Sequence, residues 1–351
     1  MAITYHAGRR IQATQADFDG TPAVSGGWKE LARTTLGSTS STIDVSSIPD
    51  KRYYQVLLDF PRSGTSQCGM RINNDSGSNY SRRYTYNNAS DSTGTSETSF
   101  DFTGNGSSTN NFSVMHIANL AGKEKLIMNH NNEGGSAGAG NIGDRREQVS
   151  KWANTSNALD QLTAIVSANN YASGAEMVVL GYDPDDTHTT NFWEQLADVS
   201  LSSTASEIDS GTFTTKKYLW VQGFANAVGA TDIVLEFNSD SGSNYARRNS
   251  ADGGSDSTAT NQSHADMGYG IGSNSHNKFF NSFIINNASN EKLMINHVMH
   301  SGGAGAGNAP SRNESITKWA NTSDQITQIK FQAIDSSGFG SGSFIKVWGS
   351  N

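Results

Sequence analysis

Short apolar runs separated by Gly, Ser, Asn and Asp set the rhythm of this chain. Residues 53–60 and 218–224 combine aromatic and β-branched side chains over strand length, which predicts buried central strands. Residues 112–117 alternate apolar with polar, the pattern of a strand with one face in the core and one in water. Runs at 126–130, 162–166 and 177–180 continue the series, and 280–285, 293–297, 326–333 and 344–348 repeat it later. No long helical period interrupts them. Roughly eight to ten strands in about 160 residues, with turns about every dozen, predict a two-sheet antiparallel sandwich, with the jelly roll as preferred topology.

The same words recur. Asp75-Ser76-Gly77-Ser78-Asn79-Tyr80 returns as Asp240-Ser241-Gly242-Ser243-Asn244-Tyr245, an offset of 240 − 75 = 165. That offset holds for Trp28 with Trp193 and Tyr53 with Tyr218, and becomes 167 for Glu124 with Glu291 and Trp152 with Trp319. Two near-colinear copies are the reading, with insertions confined to loops. They span residues 21–182 and 190–351, behind an N-terminal arm at 1–20 that is too polar to fold alone and is expected to dock on a neighbouring subunit. Between them, 183–189 is short and acidic and holds Pro184, so it reads as a linker, short enough that the two domains should touch. The fold class expected is therefore all-β: two tandem, jelly-roll-like antiparallel β-sandwich domains with an arm.

Composition narrows the functions. Only 17% of residues are charged, yet 6 Trp, 11 Tyr and 15 Phe argue for a folded protein rather than a polar disordered one. A net charge of −8 gives no counterion-release advantage on DNA or RNA and no attraction to anionic membranes, so neither is expected as a partner. No run approaches the roughly 18 apolar residues of a membrane helix, and the opening residues lack the apolar core of a secretory signal. Cys68 is the single cysteine, which rules out an internal disulfide and a Cys-based zinc cluster.

Several segments imitate chemical motifs. Residues 138–143 match G-x-G-x-x-G and 134–138 match G-x-S-x-G, but neither has the strand-to-helix context its chemistry requires, and Pro310 and Gly303 replace key positions in the second copy. Both read as loops needing glycine for positive φ. His130 and His297 share a strand end; His297 and His300, three apart, do not share a strand face and are not expected to clasp a metal. The loop from Asp75 to Asn79 is oxygen-rich but lacks a cation-loop pattern and reads as a turn. Glu124, Asp144 and Glu147 are the carboxylates a glycosidase would use, yet Asp144 aligns with Ser311. Trp28, Trp193, Trp152 and Trp319 suit a core, or stacking on sugar. No catalytic, cofactor or metal residue is assigned.

The candidate contacts are Tyr80, Arg82 and Arg83 with their repeats Tyr245, Arg247 and Arg248. On a strand, one Arg of each pair points out and the other inward or across an edge. The inward one needs a carboxylate, for which Asp91 and Asp256 or Glu147 and Glu314 are available. An interface or ligand contact is the alternative, since Arg and Tyr are favoured there.

Four stretches (residues 28–38, 74–80, 151–156 and the closing 340–349) together with the opening 1–12 resemble structural proteins of marine tailed bacteriophages, including cyanophages. The resemblance implies a non-enzymatic virion protein made in the bacterial host cytoplasm and exposed on the particle, as capsid decoration or as a tail or fibre component. Its implied partners are other virion proteins and further copies of itself, in a homo-oligomer. A host-glycan-binding, lectin-like module is the alternative reading.

Overall fold

The computed structural model describes residues 24–25, 27–104, 110–184, 186–188, 190–226, 228–229, 232–267, 276–303, 305–334 and 338–351. The expected arm at 1–20 lies outside them. What is described is all-β, in two tandem sandwiches.

In the first copy a large sheet runs, in spatial order, Lys29–Thr35 (β2), Glu176–Tyr182 (β13), Tyr53–Asp59 (β4), Asn111–Ala118 (β9), Lys125–Glu133 (β10), Asp144–Trp152 (β11), Tyr80–Tyr86 (β6) and Ser92–Glu97 (β7). A small sheet covers one face: Thr42–Ser46 (β3), Gln161–Val166 (β12), Cys68–Ile72 (β5) and Phe100–Asp101 (β8). The second copy repeats this order. Its large sheet is Glu194–Ser200 (β15), Phe344–Ser350 (β26), Tyr218–Ala225 (β17), Lys278–Ile285 (β22), Lys292–His300 (β23), Ser311–Trp319 (β24), Tyr245–Ala251 (β19) and Ser257–Gln262 (β20). Its small sheet is Glu207–Asp209 (β16), Ile329–Ala333 (β25), Ile233–Phe237 (β18) and Ala265–Asp266 (β21). Val24–Ser25 (β1) pairs with Thr187–His188 (β14) apart from both. All pairings named are antiparallel.

Setting aside β6, β7, β10 and β11, the eight remaining strands, taken in chain order, lie 1-8-3-6 in one sheet and 2-7-4-5 in the other. That is the double Greek key of a jelly roll. Two hairpins, β6–β7 and β10–β11, are built onto its large sheet. The expected strand count is therefore too low: each copy has twelve strands among the described residues, β2–β13 and β15–β26. Strand β7 escaped the hydrophobic pattern because its sequence, Ser92-Thr93-Gly94-Thr95-Ser96-Glu97, has no apolar face to bury.

Each sandwich closes over its own core. Tyr54, Val56, Leu58, Met115 and Met177 meet Ile43, Met70, Ile72 and Leu162 in the first, and Leu219, Val221, Phe280 and Ile345 meet Ile208, Leu235 and Phe331 in the second. Turns are set locally. Asn73 and Asn74 both hold φ near +53°, as do Asn238 and Ser239, two consecutive left-handed residues that reverse the chain tightly.

A third apolar layer joins the copies. Leu57, Phe112, Val114, Val178 and Leu180 on the outer face of the first large sheet pack against Trp193, Tyr218, Phe283, Leu293, Ile295 and Ile316 of the second. This corrects the reading of 112–117 as half-exposed: strand β9 is buried on both faces, because the second copy stands where water was expected. Each such side chain withdrawn from water contributes roughly 1.5–3 kcal/mol. The domains do touch. The acidic segment between them is also clasped, with Asp183 to Arg52 at 2.6 Å and Asp186 to Lys51 at 2.6 Å.

Candidate functional site

Strand register arranges the outer face of the first large sheet into rows of neighbouring side chains. One row reads Tyr53, Ala118, Leu126, Lys151, Ser81, and the next Gln55, His116, Met128, Val149, Arg83, Thr93. Two further rows follow, one through Leu57, Val114 and His130 and one through Asp59, Phe112 and Asn132. The second copy covers the last two. The first two, with Trp28 and Tyr182 at their edge, line an open, mostly apolar groove of about 900 Å³. Leu126 is 56% exposed, Met128 55% and Val149 52%. Large side chains this exposed, contiguous on one sheet face, form an apolar patch rather than the isolated singles of ordinary surface scatter.

The duplicate shows the same positions in another state. Tyr218, Leu293, Ile295 and Ile316 are the counterparts of Tyr53, Leu126, Met128 and Val149, and all four are at most 4% exposed, packed against the first copy. The glycine-rich loop 134–138 completes that contact. Lys318 Nζ donates to the carbonyls of Gly134 (3.1 Å) and Ser136 (2.6 Å) and pairs with Glu291 (3.5 Å), whose Oε1 accepts from the Gly138 amide at 2.5 Å. Burial pulls the Lys318 ammonium below its ordinary pKa, against the pull of Glu291. Its counterpart Lys151 is half exposed and pairs with Glu124 at 2.9 Å. Positive φ at Gly135 (68°) and Gly138 (91°) fits the reading of these glycines as turn formers; that the loop is a docking element had no local signal.

Histidines line the boundary between groove and interface. His116 packs on Trp28 (6.5 Å between ring centres) and Phe283 (6.2 Å), with Gln55 Nε2 3.0 Å from its Nε2. Gln55 in turn accepts from the Trp193 indole at 3.1 Å. Burial, helped by the nearby His297, pushes the His116 pKa down to about 4. His130 and His297, counterparts in the two copies, meet at 4.2 Å, and burial holds both below the ordinary histidine range.

The six candidate contact residues divide. Tyr80 and Tyr245 are core, at 1% and 0% exposure, so they are not contact residues; each phenol oxygen accepts a backbone N–H, from Ile72 at 2.9 Å and Phe237 at 3.0 Å. Arg82 turns inward to Glu97 (3.0 Å) and Asp101 (2.6 Å), and Arg247 to Asp266 (3.5 Å), carboxylates the sequence reading did not name. Arg83 takes Asp91 at 3.6 Å and lies in the groove lining. Arg248 takes Asp256 (3.6 Å) and also donates across the domain boundary to the Gly143 carbonyl (3.0 Å). Leu126, Met128 and Tyr182 carry no signal of a site in the sequence, where Trp28 reads as core or sugar-stacking, because only the fold brings their strands side by side.

Other candidate chemistry is internally consumed. Asp75 accepts from Trp152 Nε1 (2.7 Å), Asn79 (2.8 Å) and the Gly77 amide (2.8 Å), and Asp240 repeats this with Trp319 (2.7 Å). Partial desolvation works to raise the pKa of both carboxyls, but these donors outweigh it and hold them low. Asp144 accepts from Tyr86 and Asn87, both at 2.8 Å, Glu147 pairs with Arg145 at 2.6 Å, and Glu124 with Lys151. Trp152 and Trp319 are buried core, and Trp193 is buried between the domains. Among the described residues no three His, Cys, Asp or Glu side chains are grouped to hold a metal ion, and no helix is long and apolar enough to cross a membrane.

No family model and no curated protein matches the chain. Among solved structures it is similar to domains LG4-5 of the mouse laminin alpha1 chain, at 9% identity over 92% of this chain and 91% of that one, with a TM-score of 0.21. It is also similar to the attachment invasion locus protein Ail of Yersinia pestis, at 6% identity over 77% of this chain and 98% of that one, with a TM-score of 0.13. Scores this low carry no argument about fold or activity.

Proposed function

We propose that this chain is a non-enzymatic assembly protein of a bacteriophage virion, exposed on the particle as a decoration, tail or fibre component and attached through the groove of its first sandwich. One observation carries the docking role. Leu126, Met128 and Val149 stand in solvent, while the same positions in the second copy are sealed against a jelly roll. The virion assignment is supported by the sequence resemblance, and a rigid pair of jelly rolls suits such a role. Imaging the intact particle by cryo-electron microscopy tests it, with wild type and a Leu126→Asp/Met128→Asp variant compared. Density for this chain, lost in the variant although the variant folds, is the expected result. Absence of the wild-type chain from any particle overturns the virion assignment.

A second reading rests on the rings at the groove's edge. Tyr182 lies 5.9 Å from Trp28 and 6.3 Å from Tyr53 between centres, a cluster on which a sugar ring could stack. A host glycan is then the ligand. Binding on a glycan array that Tyr53→Ala abolishes supports this reading, and silence on the array counts against it.

A further inference from the structure

We infer that a second copy of this chain covers the groove, using the exposed end of its second sandwich; this deepens the docking role proposed above and rests on it. The chain itself carries the evidence of what fits such a surface. Within one molecule, the rows around Tyr218 and Leu293 are covered by Phe112, Val114 and the glycine loop at 134–138. The corresponding rows around Tyr53 and Leu126 stand open. In the second copy Phe279 stands at the position of Phe112, Asn281 at that of Val114 and Met299 at that of Asn132, ahead of a glycine-containing segment, and the two apolar side chains are exposed, Phe279 at 37% and Met299 at 45%. Each molecule thus uses one half of each docking pair internally and leaves the other half outward. The groove is also continuous with the existing interface, because Trp28 and His116 border both. The contact between molecules is heterologous: groove of one, Phe279–Met299 edge of the next.

The test uses the purified full chain in sedimentation equilibrium, with two double variants at exposed positions: Leu126→Asp/Met128→Asp for the groove and Phe279→Asp/Met299→Asp for the edge. Wild type self-associates, each variant weakens association by at least about tenfold, and mixing the two variants restores a one-to-one dimer, since each still offers the half the other lacks. Thermal melts at the wild-type temperature establish that the variants fold. Wild type that stays monomeric up to about 100 µM, well above the micromolar range of a specific contact, overturns the inference. An edge variant that associates like wild type while the groove variant does not overturns it in favour of groove-to-groove pairing, and variants that both abolish association without rescuing each other overturn the single heterologous contact. If the wild-type chain is monomeric but the groove variant still drops off the particle, the docking role stands with a different virion protein as partner. If the chain self-associates as described but is absent from particles, the virion assignment falls and the self-association stands.

Discussion

Acidification should loosen the contact between the two sandwiches, and His116 allows the size of the effect to be worked out. Its pKa is about 4 in the folded chain against an ordinary value of 6.5, because burial excludes the imidazolium. The neighbours it meets among the described residues, Trp28, Phe283, Gln55 and the imidazole of His297, do not favour the charged state. Between these two values the unfolded chain binds a proton that the folded chain refuses. The histidine's contribution is therefore whole above pH 6.5 and is lost as pH falls toward 4. The loss is about 2 kcal/mol at pH 5 and about 3 kcal/mol at pH 4. His130, facing Arg145 and His297, and His297, facing Glu147, Arg145 and Arg312, shift in the same direction and add to it. Glu133 and Asp59, whose pKa values burial raises, act in the opposite sense over the same range, so the slope for the whole protein is not diagnostic. The diagnostic quantity is a difference. Urea unfolding of wild type and of His116→Phe, the residue the second copy has at Phe283, should diverge by about 2 kcal/mol between pH 7 and pH 5, with the variant losing less. Identical pH slopes would refute the claim that His116 is held neutral in a buried site.

Two further predictions follow from the hydrogen-bond geometry. Lys318→Met leaves Glu291 with the Gly138 amide alone and two loop carbonyls without their ammonium donor, and should cost about 2–4 kcal/mol in urea unfolding, whereas Lys151→Met at the counterpart position should stay within about 1 kcal/mol. Equal costs would show that the copies do not differ as described. Asp75→Ala and Asp240→Ala each strand a buried tryptophan N–H and should destabilise by similar amounts, about 1–3 kcal/mol, read from chemical denaturation.

The all-β class and the duplication were legible in the sequence because short apolar strand runs between turns write themselves into the pattern and the repeat doubles the signal; the jelly roll was a preference there, and its strand order comes from the pairing of the strands. The inserted hairpins were not, since β7 buries no side-chain face and leaves no apolar trace. Residues 112–117 misled for an instructive reason. Their Ser113 and His116 positions look solvent-facing, but Ser113 is satisfied by a buried neighbour, Asn129, and His116 by Gln55. Polarity there records internal hydrogen bonding, not water. The groove was illegible for a different reason. Tyr53, Leu126, Met128 and Val149 are ordinary strand residues one at a time, and the large side chains at the same positions in the second copy, Tyr218, Leu293, Ile295 and Ile316, are buried between the copies. The packing of one copy on the other distinguishes them.

The buried Lys318 and the paired histidines sit in a layer that neither sandwich possesses alone. A melt of the intact protein should therefore show one cooperative transition for both halves, since opening either exposes that layer in the other. Mechanically the two described sandwiches act as one block: tension applied to one reaches its neighbour through a packed slab of side chains as well as through the short acidic connection.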